Sequence, residues 1–172
     1  AGRFAVPLPI TETLLAGLQH RTRNLLASVR SLAAYTAEHA ESIADFSEHF
    51  DGRLAALARC QGIVMRSGDE GAHLEELLRE EFLSHAVVGS EQINVSGETV
   101  RLGPRVAEAI GLALHELTTN ALKFGALASE AGELAISWSK IDGSVAIDWA
   151  ETGAPSPVRA RREGFGRELI ER

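Results

Sequence analysis

Apolar residues at Leu14, Leu18, Leu25, Val29 and Leu32 recur in steps of three, four or seven. That spacing lays one stripe along a helix. Between Thr13 and His39 there is no proline and a single glycine, Gly17. A second stretch carries Phe46, Phe50, Leu54, Leu57 and Val64 in the same steps. Ser42 precedes it as a helix N-cap, with Asp45 three positions on. The spacing predicts two helices of about 20–27 residues, each about 30–40 Å long. Joined by a loop around 39–43, they make a hairpin. A lone hairpin leaves much of its stripe uncovered, which calls for a partner hairpin and a four-helix bundle. Pro7 and Pro9 predict an extended entry over residues 1–11.

Gly68 and Gly71 interrupt the long pattern. A shorter helix follows, with Leu74, Leu77, Leu78 and Phe82 on one side. Ile93-Asn94-Val95 and Val100-Arg101-Leu102 read as short strands around a Gly97 turn. Gly103-Pro104 opens another helix, which runs to Phe124 and stops at Gly125 as a C-terminal glycine. Glu133–Ser139 and Ser144–Ala150 read as strands joined by Lys140-Ile141-Asp142-Gly143, where Asp-Gly signals a hairpin. A loop rich in Gly, Pro and Arg then leads to a helix start at Gly164-Phe165-Gly166. The expected organisation is α+β in two modules, a helical hairpin over 1–68 and an α/β domain over 72–172.

Composition narrows the function. A hydrophobic fraction of 45% supports a buried core, and 172 residues suit one ordinary domain or two small ones. A net charge of −7 argues against non-specific nucleic-acid binding, which needs a basic face. The single cysteine, Cys60, excludes an intrachain disulfide and fits a reducing, cytoplasmic setting. No apolar run approaches the roughly 20 residues of a membrane-spanning helix. The start, Ala1-Gly2-Arg3-Phe4, has neither an initiator Met nor a signal-peptide layout, so the chain reads as a piece of a longer protein.

Several residues carry chemistry. In the helix over 104–124, Val106, Ile110, Ala113, Leu117, Ala121 and Phe124 form the expected core stripe. Glu116, Asn120 and Lys123 share a polar face beside it. A carboxylate and a carboxamide one turn apart offer hard oxygens to Mg²⁺, and a lysine suits a phosphate. A solvated helix face is an equal reading of the trio. His115-Glu116 begins a zinc-type H-E-x-x-H motif, but position 119 is Thr, so that motif is excluded. Glu151 ends a strand just before Gly153, where an acceptor-only carboxylate could take the amine of adenine. Arg159, Arg161 and Arg162 precede Gly164 and Gly166, whose backbone N–H groups could face an anion. A solvated loop is the simpler account of the arginines. His20 lies about 200° round the helix from Leu18, so it points away from the stripe. An exposed imidazole can attack a phosphoryl group, although spacing alone favours an ordinary surface histidine.

Together these segments are specific. Leu18-Gln19-His20-Arg21-Thr22-Arg23-Asn24-Leu25-Leu26-Ala27 resembles the phosphoacceptor segment of the HWE family of bacterial histidine kinases. Leu114-His115-Glu116-Leu117-Thr118-Thr119-Asn120-Ala121-Leu122-Lys123-Phe124-Gly125 is similar to that family's N box, including its extra histidine. Trp149-Ala150-Glu151 matches its Trp-x-Glu, and Gly164-Phe165-Gly166 resembles its second glycine box. The resemblance covers nearly the whole chain from residue 14.

The resemblance implies a protein-histidine kinase: a dimerisation hairpin followed by a Bergerat-type α/β sandwich that binds ATP. His20 would accept the γ-phosphate. Glu116 and Asn120 would hold Mg²⁺, and Asn120 and Lys123 would contact the nucleotide. Glu151 would read adenine, and Gly153, Gly164 and Gly166 would shape the pocket and the base of its lid. The phosphoryl group would pass to an Asp on the receiver domain of a response regulator. A homodimer and an upstream sensor domain are implied, and Asn24 one turn after His20 allows phosphatase activity. The chain ends inside the helix after the second glycine box, where the family usually continues through further strands, and the lid between Pro155 and Gly164 is short. A different class of function is therefore a phosphorelay adaptor that keeps His20 and uses a degenerate ATP domain as a scaffold. Retention of Glu116, Asn120, Lys123 and Glu151 argues against it. An ATP-driven machine of the same superfamily is disfavoured by the His20 segment.

Overall fold

The computed structural model describes the backbone of residues 8–68 and 71–155, and side chains from Leu15 on, Ala16 excepted. The fold is α+β. Two compact units divide the chain, 1–54 and 55–172.

In the first unit, α1 (Leu8–His39) runs 32 residues, about 48 Å at the usual rise. It begins earlier than the prolines suggest. Pro9 falls in the first turn, where a helix has no use for the N–H that proline lacks, so the extended entry is corrected to helix from Leu8. The next helix, α2 (Ile43–Ser67), is set as expected by its cap. The Ser42 hydroxyl accepts the Asp45 N–H at 3.1 Å, and Asp45 Oδ2 accepts the Glu41 N–H at 3.0 Å. Inside the unit Leu32 and Thr36 are buried. Buried Arg53 donates to Thr36 Oγ1 at 2.9 Å and stacks over the Tyr35 ring. The α1 stripe is unevenly covered: Leu32 is buried, Leu25 and Val29 are partly buried, and Leu18 is more than half exposed, as are Leu15 and Leu26 beside it.

The second unit takes the end of α2 and the rest of the chain. Its core joins Cys60 and Ile63 of α2 to Leu74, Leu77, Leu78 and Phe82 of α3 (Leu74–Ser84). Leu114 of α4 (Pro104–Lys123) and the inner sheet face, Leu134, Ile136 and Trp138, complete it. Two short strands, β1 (Ala72–His73) and β3 (Arg101–Leu102), pair antiparallel. Gly71, at φ +79°, makes this possible, because a Cβ there would overlap the Leu102 carbonyl. The main sheet has the order β2-β4-β5, with β2 (Ile93–Gly97) parallel to β4 (Glu133–Ile141) and β4 antiparallel to β5 (Ser144–Thr152).

Three expectations change. The segments at 93–97 and 101–102 are strands, but they enter different sheets instead of pairing around Gly97. The Trp138 ring fills the space a Gly97 side chain would need, and its indole donates to the Glu98 carbonyl at 2.7 Å. The β4–β5 strands are longer than predicted, leaving only Asp142 (φ +47°) and Gly143 (φ +79°) as the turn. Two positive φ values suit the right-handed twist of a tight hairpin. The buried face of α4 is wider than the predicted stripe: Ala113 and Ala121 are buried and Ile110 packs against the core as expected, but Val106 and Phe124 are about half exposed, and Ala107, Gly111, Leu114, His115 and Thr118 are buried as well. Small side chains at Ala107 and Gly111 let α4 pack closely, which a count of large apolar residues misses.

Candidate active site

His20 lies on α1 in the first unit and is exposed, as its position on the helix predicts. Its Nδ1 meets the side-chain amide of Asn24, one turn on, at 3.3 Å. The facing atom is the amide nitrogen Nδ2, and because an amide can turn to present its oxygen instead, the contact couples the tautomer of the imidazole to the amide.

The remaining described candidates belong to the second unit. Glu116 is half-buried, and Asn120 and Lys123 are exposed, along one side of the last two turns of α4. Thr119, on the same side, has a buried hydroxyl without a partner among the described residues. Two hard oxygens one turn apart at a solvent edge suffice for Mg²⁺, which keeps several of its own waters. Glu116 and Asn120 could therefore hold that ion.

Glu151 is brought to the end of the same helix. On β5 it shares a face with Ile147 and Trp149, the face that turns toward the core, and it pairs opposite Leu134. Its Oε2 accepts the Ala126 backbone N–H at 2.7 Å, just past the C-terminus of α4. Its Oε1 accepts the Trp149 indole N–H at 2.9 Å. The carboxylate is thus aimed by two donors rather than left to wander. Gly125 serves this contact. Its φ is −103°, so it is not the left-handed glycine that the sequence suggests, and a Cβ there would overlap Glu151 Oε2. Gly153 is at φ +67°, and a Cβ would overlap the Ala131 carbonyl, so the chain's own geometry accounts for this glycine. Gly164, Gly166, Arg159, Arg161 and Arg162 lie outside the described residues.

The sequence reading missed the group that explains His115. The ring is buried, and its Nδ1 hydrogen-bonds Glu81 Oε1 at 2.9 Å across the α3–α4 interface. His85 Nε2 meets the same oxygen at 2.9 Å, while Arg59 of α2 donates to Glu81 Oε2 at 2.5 Å. Burial alone would raise the Glu81 carboxyl. The hydrogen bond and charge of His115, followed by those of Arg59, outweigh burial and pull it down to about 2. The signal was present: Glu81 sits amid Leu74, Leu77, Leu78 and Phe82, on the apolar side of α3. A charge there needs a partner.

A family model described as HWE histidine kinase matches residues 17–99. The "Blue-light-activated histidine kinase 1" of Erythrobacter litoralis is 35% identical over 163 residues, 92% of this chain. The chain belongs to the HWE histidine kinase family. A blue-light-activated histidine kinase of Brucella anthropi is 30% identical over 157 residues, 89% of this chain. This HWE chain spans 45% and 32% of the lengths of those two relatives. Among solved structures, the Erythrobacter litoralis EL346 blue-light activated histidine kinase aligns with a TM-score of 0.56 at 23% identity. That alignment takes in 99% of this chain and 54% of the other, and it supports the fold. No helix among the described residues is long and apolar enough to cross a membrane.

Proposed function

We propose that this HWE chain is the core of an ATP-dependent autokinase that phosphorylates His20 and passes the phosphoryl group to a response-regulator Asp. The observation that carries the reading is His20 itself: an exposed imidazole on a long helix, its Nδ1 held by Asn24. The structure has Asn24 Nδ2 against Nδ1; with the amide turned over, its oxygen accepts the Nδ1 proton and the Nε2 lone pair is the nucleophile. A bond forms from Nε2 to the γ-phosphorus as the bond to the β,γ-bridging oxygen breaks, and ADP leaves with that electron pair. Transfer then exchanges the N–P bond for a bond to the receiver Asp oxygen.

The second unit would supply the nucleotide. Mg²⁺ at Glu116 and Asn120 would neutralise phosphate charge, as phosphoryl transfer requires. Lys123 would contact phosphate, and Glu151, already aimed by Trp149 and Ala126, would accept the adenine amine. Gly153, Gly164 and Gly166 complete the same reading. So does the division into a phosphoacceptor hairpin over 1–68 and an ATP-binding domain over 72–172. The exposed Leu18, with Leu15 and Leu26 beside it, supports a homodimer through the hairpin, because an exposed apolar face is stable when a partner covers it.

A second reading rests on one observation. Both Glu151 oxygens already accept a hydrogen bond within the chain, as they would in an adaptor whose ATP domain serves only as a scaffold. Incubation with γ-labelled ATP and Mg²⁺, beside His20→Ala, separates the two. Acid-labile, base-stable label on the wild type that vanishes in the variant is the expected result. Absence of both label and nucleotide binding would favour the adaptor, which a phosphorylated receiver domain would then charge at His20.

A further inference from the structure

We propose that Glu81, His85 and His115 form a binding site for a divalent transition metal of the Zn²⁺ class, separate from the nucleotide face. One ligand atom from each residue lies within 4.8 Å of the other two. His85 Nε2 and His115 Nδ1 both stand 2.9 Å from Glu81 Oε1. The ligand atoms of a tetrahedral zinc sit about 3.3 Å apart, given metal–ligand bonds of about 2.0–2.1 Å. An ion therefore fits if the two nitrogens back away from the oxygen by about half an ångström.

The surroundings suit such an ion. Glu81 and His85 are one turn apart on α3, so a single helix supplies two ligands, and His115 closes the set from α4. The two imidazoles lie side by side, with centroids 5.7 Å apart and planes 21° from parallel. Arg59 binds the other carboxylate oxygen, Oε2, which steadies Glu81 and leaves Oε1 to the metal. Ligating carboxylates are commonly held by such an outer hydrogen bond. His85 is the C-cap residue of α3 and about a quarter exposed, which gives entry from solvent and room to adjust. Two imidazole nitrogens and one carboxylate oxygen, with a fourth position for water, favour Zn²⁺ or Co²⁺ over Mg²⁺ or Ca²⁺. On binding, each ring gives up the proton it directs at Oε1: a neutral ring shifts it to its other nitrogen, and a protonated ring releases it to solvent. The ion would pin α3 to α4 one residue before Glu116.

The test is a Zn²⁺ titration of the full chain by calorimetry, with His85→Ala as the disrupting variant and His20→Ala as control. One equivalent should bind to the wild type and to His20→Ala. Affinity should fall at least ten-fold in His85→Ala, with circular dichroism confirming that it is folded. His85→Gln serves in its place if His85→Ala is not. Co²⁺ should give visible d–d bands without a thiolate charge-transfer band. The proposal is overturned if the wild type binds no stoichiometric metal, or if the His85 variant binds as tightly as the wild type. It is also overturned if a thiolate band places Cys60 in the ligand set. None of these readouts depends on ATP, so autokinase activity and this site stand or fall separately.

Discussion

Gly125 and Glu151 occupy each other's space: the carboxylate of Glu151 lies where a side chain on Gly125 would project. Gly125→Ala should therefore displace Glu151 Oε2 from the Ala126 N–H. The expected result is a loss of about 1–3 kcal/mol of stability, as for other overpacked sites, together with weaker ATP binding. Thermal unfolding and nucleotide titration measure the two. Unchanged stability would mean that the loop at Gly125 yields more freely than its packing suggests.

Trp149 gives Glu151 its second fixed donor. Trp149→Phe keeps a ring on the same sheet face and deletes the indole N–H. Loss of one hydrogen bond worth about 1 kcal/mol should raise KM for ATP about five-fold, with kcat nearly unchanged. Steady-state autophosphorylation at varied ATP reads that split. A fall in kcat alone would assign Trp149 to a different task.

The Glu81 carboxyl is depressed in the folded chain to about 2, from an ordinary 4.5. Its contribution is thus fully present above pH 4.5 and lost as pH falls toward 2. The shift corresponds to a stabilisation on the order of 3 kcal/mol. With chelator present, the acid limb of stability against pH should be shallower in Glu81→Gln than in the wild type. Parallel curves in denaturant titrations at several pH values would remove Glu81 from the account.

Gly111 on α4 abuts the sulfur of Cys60 on α2, whose thiol is pushed up to about 11 chiefly by burial. Gly111→Ala should destabilise despite the roughly 1 kcal/mol that Ala gains over Gly inside a helix. In a Cys60→Ala background the same change should become stabilising. The sign reversal is the result to look for in a double-mutant cycle.

The parts of the molecule set by local chemistry were readable from the sequence. The Ser42 cap, the Asp142-Gly143 turn and the outward position of His20 depend on neighbours within a few residues. Glu116, Asn120 and Lys123 fall on one helix side by spacing alone. What escaped depended on distant partners. The role of His115 needs Glu81, 34 positions away, and the purpose of Gly125 needs Glu151, 26 positions on. The face of α4 was only partly legible: Ala113 and Ala121 are buried as expected, but Ala107 and Gly111, which carry little hydrophobic signal, are buried as well. The partner of β2 was hidden because a parallel neighbour leaves no turn to announce it.

The two-residue turn between β4 and β5 also implies an order of assembly. Such a hairpin closes in about 1–10 μs, whereas pairing of β2 with β4 must wait for the 35 residues between them, α4 included. Pulse-labelled hydrogen exchange should show protection at Ser137, whose N–H faces β5, before Ala113. The strand that presents Glu151 would then be in place while the helix that presents Glu116 is still searching for its seat. The proposed nucleotide face would be among the last surfaces this chain completes.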